Sequence, residues 1–91
     1  MEDRLKFKAF IQRNHPEFID FWDWKESHLF EGEVENRMGL LSTGEQHMLR
    51  FYLGIWNNDN RYNFDFIQAM NCLDERNLSI IREWVNNPIW S

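Results

Sequence analysis

The sequence predicts an all-α fold, a compact single-domain bundle of about five short helices around a central helix at residues 43–57. Two observations predict this class. A helix start signal opens a segment in the middle of the chain that has an unusually wide apolar face. On both sides of this segment, helix caps and apolar residues at helical spacing recur, which indicates further short helices. With 91 residues, the chain is expected to form one helical domain over residues 1–91.

The first helix is predicted from Asp3 to Arg13, with Asp3 as its candidate cap. Phe7 and Phe10 fit one face of a helix. Residues 5–9 also alternate between apolar and polar, as a strand would. We favour the helix because the chain has no second alternating run with which a strand could pair.

The second helix is predicted from Pro16 to Ser27 or His28, because a proline suits the first turn of a helix. Phe18 and Phe21 would lie on its core side. On the other side an acidic residue recurs at every third position. These residues are Glu17, Asp20, Asp23 and Glu26. Trp24 falls between two of them on the helical wheel, so this face is the candidate partner-binding surface.

The segment from Leu29 to Leu41 shows no sustained apolar period and is predicted to be the longest loop. Glu31, Glu33 and Glu35 continue the acidic run through it. Residues 15–36 contain seven acidic residues and one basic residue, so this stretch carries a charge of −6 while the rest of the chain sums to +1. The negative charge is therefore concentrated in the first half of the chain.

The central helix, residues 42–57, begins with an S-x-x-E capping box formed by Ser42 and Glu45. Its apolar residues fill an arc of roughly 200°, about twice what a surface helix needs. They are Met48, Leu49, Phe51, Tyr52, Leu53, Ile55 and Trp56. The polar arc holds His47, which we expect to be exposed. It also holds Gly54, whose cost of about 1 kcal/mol relative to alanine suggests a close neighbour.

Two shorter helices are predicted after the central one. The first runs from Phe64 to Leu73 with Asn63 as its cap, and the second begins after Asp74 and ends before Pro88. The residues expected to face inward are Phe66, Ile67, Met70 and Leu73 on the first, and Leu78, Ile80, Ile81, Trp84 and Val85 on the second. Residues 89–90 are expected to fold back on the core as an apolar tail.

Composition and charge narrow the functional classes. Fifteen acidic against ten basic residues leave a net charge of −5, which repels phosphate, so direct nucleic-acid binding is not expected. No apolar run approaches the roughly eighteen residues of a membrane span, so no membrane association is expected. The N-terminus carries no secretion leader, and the single cysteine agrees with a reducing compartment. We therefore expect a cytoplasmic protein.

No motif for catalysis, a metal or a cofactor is apparent. The three histidines lack the spacing of a zinc motif. Residues 57–65 superficially resemble a calcium loop, but Arg61 occupies a ligand position and Tyr62 replaces the glycine of the sharp turn. Cys72 is expected to be a small buried hydrophobe rather than a nucleophile. The sequence therefore predicts a non-enzymatic protein that needs no cofactor.

Several short motifs in the C-terminal half carry a family resemblance. They are S-T-G-E from Ser42, I-W-N from Ile55 to Asn57, F-D-F from Phe64 to Phe66, C-L-D from Cys72 to Asp74 and E-W-V from Glu83 to Val85. This half resembles small uncharacterised helical domains carried by phages, prophages and gut bacteria. The resemblance implies a compact helical domain and a mobile-element setting. It brings no catalytic or binding residues with it.

Three functions are compatible with the pattern. The first is a protein-binding module, an accessory protein or inhibitor that docks on the basic surface of a host protein. Trp24 would be the anchor and the carboxylates the steering rim, unless another element covers Trp24. The residues of this predicted site are Glu17, Asp20, Asp23, Trp24 and Glu26.

The second function is a nucleic-acid mimic that blocks the groove of a DNA- or RNA-binding protein. Mimicry requires acidic residues from several elements in an extended track, whereas steering requires only a rim. The third function is a self-associating structural domain, a homo-oligomer in which exposed rings such as Trp24 or Trp90 meet their symmetry mates.

Overall fold

A computed structural model describes residues 2–89 and shows an all-α protein, as the sequence predicts. Within these residues, 69% lie in six helices, and the remaining regular structure is one small two-stranded sheet. The chain divides into two units, Met1–Leu40 and Leu41–Ser91, called here the N-terminal and C-terminal units.

The N-terminal unit opens with helix α1, Glu2–Asn14, which confirms the first predicted helix. Because α1 begins at Glu2, Asp3 lies inside its first turn and does not cap it. Phe7 and Phe10 are buried on one side of the helix, at the three-residue spacing that predicted it.

The predicted second helix is wrong beyond Phe21. A 3-10 helix spans Pro16–Phe21, and the chain then forms a hairpin of strands β1, Trp22–Asp23, and β2, His28–Leu29. The strands pair antiparallel, with Trp22 opposite Leu29 and Asp23 opposite His28. The reason is local. The side chain of Asp23 accepts hydrogen bonds from the backbone N–H groups of Lys25 and Glu26, both at 3.1 Å, and such an Asx turn competes with the helix.

The predicted loop from Leu29 to Leu41 is also wrong, because helix α2 spans Glu31–Met38. Val34 is the one buried residue of α2. A helix that buries a single residue needs no repeated apolar positions, so its sequence contains no apolar period from which the helix could be predicted. The guanidinium of Arg37 lies 4.3 Å from the ring centroid of Phe21, a cation–π contact with the 3-10 helix.

In the C-terminal unit, helix α3 spans Thr43–Asn57, the bounds that the sequence predicts for the central helix. The capping box is present. The Ser42 hydroxyl accepts from the Glu45 N–H at 3.2 Å, and the Glu45 carboxylate accepts from the Ser42 N–H at 3.0 Å. The apolar arc of α3 is buried except for Trp56, which is half-buried. His47 is only 6% exposed, so the prediction of an exposed His47 is wrong.

Helix α4 spans Phe66–Cys72 and is capped by Asp65, whose side chain accepts from the Gln68 N–H at 2.9 Å, instead of by Asn63. Ala69 of this helix and Leu73, the residue that follows it, are buried. Phe66 and Ile67 are 54% and 67% exposed, so the prediction that they face inward is wrong. The predicted burial of Cys72 is wrong too, since its side chain is exposed at the end of α4.

Helix α5 spans Glu75–Asn86, and Asp74 caps it as predicted by accepting from the Asn77 N–H at 2.9 Å. Ile80 and Ile81 are buried, but Val85 is 58% exposed, contrary to its predicted inward position. The helices of residues 2–89 include none with the length and hydropathy of a membrane-spanning segment. Of the predicted apolar tail, Trp90 lies outside the described residues.

Candidate functional site

The sequence predicts a partner-binding surface on one helix, and the structure assembles the same residues from several elements of the N-terminal unit. They are Glu17 and Asp20 on the 3-10 helix, Asp23 on β1, and Trp24 and Glu26 in the hairpin turn. We call these five residues the acidic hairpin surface. Because the helix ends at Phe21, the regular three-residue spacing of the carboxylates does not place them along one helical face.

The sequence allowed two positions for Trp24, an exposed anchor or a core residue covered by another element. In the structure its side chain is half-buried, which lies between these two alternatives. Its indole N–H donates to the carbonyl oxygen of Ile19 at 3.0 Å. Its ring stacks on Trp22 with centroids 5.3 Å apart and tilts against Phe7 at 6.0 Å. The Lys8 ammonium lies 6.0 Å from the same ring. The indole is therefore held in place, and part of it remains open to solvent.

Three of the four carboxylates are free for a partner. Glu17, Asp20 and Glu26 are exposed, and none of their carboxylates makes a hydrogen bond or an ion pair with residues 2–89. The fourth carboxylate, that of Asp23, is half-buried and is used by the two backbone donors of the hairpin turn. Asp23 therefore shapes the turn, while the other three present negative charge to solvent.

Helix α2 adds three more exposed carboxylates to the N-terminal unit, those of Glu31, Glu33 and Glu35. Glu31 and Glu33 lie in the first turn of α2, where negative charge interacts favourably with the helix dipole. The acidic residues of this unit whose exposure the structure describes thus come from the 3-10 helix, the hairpin turn and α2.

The C-terminal unit contains a feature that the sequence did not predict, a cleft of about 420 Å³ between α3, the loop after it, α4 and α5. We call it the aromatic cleft. Its main apolar walls are Phe51, Phe64, Phe66, Ile81, Trp84 and Val85. The Phe51 ring lies 5.6 Å from Phe64 and meets Trp84 edge to face at 5.8 Å. These rings form a fixed apolar wall.

Side chains of the α3–α4 loop hold the rim of the aromatic cleft in shape. The Asn60 side-chain oxygen Oδ1 accepts from the Phe64 backbone N–H at 2.7 Å, and the Asn60 side-chain nitrogen Nδ2 donates to the Phe64 backbone carbonyl at 3.3 Å. Asp59 and Arg61 form a bidentate ion pair with a shortest distance of 2.9 Å. Hydrogen bonding from the Arg61 side chain holds the pKa of Asp59 below its ordinary value.

Sequence reasoning missed the cleft because it placed Phe66 and Val85 in the core. Gly54, which suggested a close neighbour, lies on the cleft wall. The nearest atom to a side chain there is the Asp59 carbonyl oxygen, 3.6 Å from an ideal Cβ, which is an ordinary contact distance. Packing therefore does not require this glycine, and the glycine leaves room in the cleft.

Within residues 2–89, the side chains that could bind a metal lie apart. Among the described residues, no cluster of three or more histidine, cysteine or carboxylate side chains could hold an ion. His15 and His47 are buried, and His28 is exposed on β2 with its ring edge against Phe30.

Comparison of the chain with protein-family models, with curated proteins and with solved structures finds no match.

Proposed function

We propose that the protein is a non-enzymatic, acidic protein-binding module that docks the acidic hairpin surface on a partner protein with a basic surface. In the mobile-element setting that the resemblance of the C-terminal half implies, it would act as an accessory protein or inhibitor of a host protein. The observation that carries the proposal is the combination of three exposed, unengaged carboxylates with an indole that is already fixed in place.

Each part of this surface has a physical role in the proposal. Glu17, Asp20 and Glu26 steer a basic partner during approach, and their effect weakens as salt screens it. Trp24 supplies apolar contact area, and its hydrogen bond and stacking mean that little side-chain entropy is lost on binding. Lys8, close to the Trp24 ring, orients the partner by repelling its cations from that edge.

A charge-matched pair of variants tests the steering role on a partner isolated by affinity purification from the host. The test variant carries Glu17→Gln, Asp20→Asn and Glu26→Gln. The control carries Glu31→Gln, Glu33→Gln and Glu35→Gln, which removes the same charge from the same unit. The test variant is expected to associate about tenfold more slowly at low salt, while the control is expected to change little. Equal rates for both variants and the wild type would exclude steering by this surface.

A second candidate is nucleic-acid mimicry, and one observation favours it. The exposed acidic residues come from three elements, which mimicry requires and a single helix face would not provide. In this case both triple variants weaken binding, and duplex DNA competes with the protein for the partner. A ternary complex of protein, partner and duplex would rule out mimicry.

A further inference from the structure

Helix α1 presents an apolar side chain framed by positive charge. Leu5 lies on the side of α1 away from the buried Phe7 and Phe10 and is 58% exposed. At about 100° per residue, Lys6 lies to one side of Leu5 on the helix surface and Lys8 to the other. Lys6 is exposed, and its ammonium makes no ion pair or hydrogen bond with residues 2–89. We call Leu5, Lys6 and Lys8 the basic face of α1. It is complementary to a negatively charged surface.

Helix α2 presents the same pattern with the opposite charge. Gly32 is exposed, and no atom lies within 4 Å of the position that a Cβ would take there. Glu33 and Glu35 flank Gly32 at the same angles at which the two lysines of α1 flank its leucine, because their spacing along the chain is the same. Neither carboxylate makes an ion pair or a hydrogen bond with residues 2–89. We call Gly32, Glu33 and Glu35 the acidic face of α2.

Within one chain the acidic face of α2 is left to solvent. Helices α1 and α2 both contact the 3-10 helix, Pro16–Phe21, and Val34 is the one buried residue of α2. A helix of eight residues that buries one side chain is marginal in water, so covering its exposed face would stabilise it. A second copy of the chain offers the matching cover, because its basic face carries the opposite charge at the same spacing.

We propose that the protein self-associates by docking the basic face of α1 on the acidic face of α2 of a second copy. Leu5 of one copy covers the open position at Gly32 of the other, and the lysines beside Leu5 pair with the glutamates beside Gly32. A contact between two short helices is small, so the expected Kd is on the order of 100 µM at low salt.

This contact shares no residue with the acidic hairpin surface. An assay of the host partner at concentrations far below this Kd measures the monomer. The proposed function and the self-association are therefore tested separately.

Two charge-reversal variants test which faces meet. One carries Lys6→Glu and Lys8→Glu on α1, and the other carries Glu33→Lys and Glu35→Lys on α2. In each variant the two faces have like charge, so neither variant is expected to self-associate at concentrations up to about 1 mM in low salt. An equimolar mixture restores opposite charges between unlike copies. Sedimentation equilibrium is expected to show that the mixture associates at least as tightly as the wild type.

A charge-matched control separates this contact from the effect of net charge. It carries Lys25→Glu and Arg76→Glu, at exposed positions outside α1 and α2, and changes the net charge by the same amount as the α1 variant. The control is expected to keep the Kd of the wild type within a few-fold.

Deuterium exchange of the wild type locates the contact without any substitution. The amide protons of α2 are expected to exchange at least about threefold more slowly at about 1 mM protein than at about 10 µM, because the contact covers α2. Those of α4, in the C-terminal unit, are the reference and are expected to exchange at the same rate at both concentrations.

Four results would overturn the proposal. One is a wild type that stays monomeric at about 1 mM in low salt. Another is self-association of either reversal variant as tight as that of the wild type, which would place the contact elsewhere, for example at exposed rings. The third is a mixture of the two variants that stays monomeric although circular dichroism shows both to be folded. The last is exchange in α2 that does not slow as the wild type associates.

Discussion

The indole N–H of Trp24 donates to the carbonyl oxygen of Ile19 at 3.0 Å and so ties the hairpin turn to the 3-10 helix. The same indole stacks on Trp22 of β1. A hairpin whose strands are two residues each has few ladder hydrogen bonds of its own. Trp24 therefore stabilises the element that carries part of the acidic hairpin surface, in addition to its proposed binding role.

We expect Trp24→Ala to lower the free energy of unfolding by about 2 kcal/mol, because a half-buried aromatic ring and its hydrogen bond are lost. Trp24→Phe keeps the ring and loses the donor, and is expected to cost about 1 kcal/mol. Urea unfolding of both variants checks this. An unchanged midpoint for Trp24→Ala would contradict the packing role and leave the ring as a binding anchor alone.

We expect Ser42→Ala to lower the free energy of unfolding by about 1 kcal/mol, because the first turn of α3 loses its capping box. Ser79→Ala, at an exposed position inside α5, is the control and is expected to be neutral or slightly stabilising. Thermal unfolding by circular dichroism compares the two. Equal stability of both variants would show that water replaces the cap of α3 at no cost.

We expect Gly54→Ala to raise the free energy of unfolding by up to about 1 kcal/mol, because alanine is the better helix former and its methyl group makes only an ordinary contact. Gly32→Ala in α2 gives the propensity gain without any contact and serves as the reference. Both are measured by urea unfolding. Destabilisation by Gly54→Ala alone would mean that the loop carbonyl of Asp59 does not tolerate the methyl group.

We expect the thiol of Cys72 in the folded protein to react with a small disulfide reagent at a rate within a few-fold of that in urea, because its side chain is exposed. The reaction is followed by absorbance, with Cys72→Ser as the blank. A folded-state rate slower by orders of magnitude would place Cys72 in the core, as its apolar neighbours in the sequence had suggested.

The parts of the fold that could be predicted are those in which several local signals agree. The capping box at Ser42 and the broad apolar face that follows it both indicate a helix, and α3 has the predicted bounds. Asp74 likewise marks the start of α5. In these segments the cap and the apolar period arise within a few neighbouring residues, so no knowledge of tertiary packing is needed.

The parts that could not be predicted depend on single side chains. One carboxylate, that of Asp23, closes the hairpin turn and ends the predicted helix, although the spacing of the acidic residues around it suits a helix. One buried residue, Val34, is too little to give α2 an apolar period. On α4, the capping by Asp65 in place of Asn63 accompanies the exposure of Phe66, which opens the aromatic cleft.

The candidate binding residues were predicted by type but not by arrangement. The exposure of Glu17, Asp20 and Glu26 follows from their charge. Their distribution between the 3-10 helix and the turn follows from the hairpin, which the sequence did not reveal. The half-burial of Trp24 depends on Phe7 and Trp22, and the ring of Phe7 comes from another element.

The sparse attachment of α2 has a consequence for its motion. Val34 is its one buried residue, and Arg37 adds one contact, with the ring of Phe21. Local opening costs least where little apolar surface is lost, so the amide protons of α2 should exchange with deuterium well before those of α3. Three of the six exposed carboxylates described for the N-terminal unit, those of Glu31, Glu33 and Glu35, would then sit on a segment that repeatedly unwinds, whereas those of the 3-10 helix and the hairpin would not share its fluctuations.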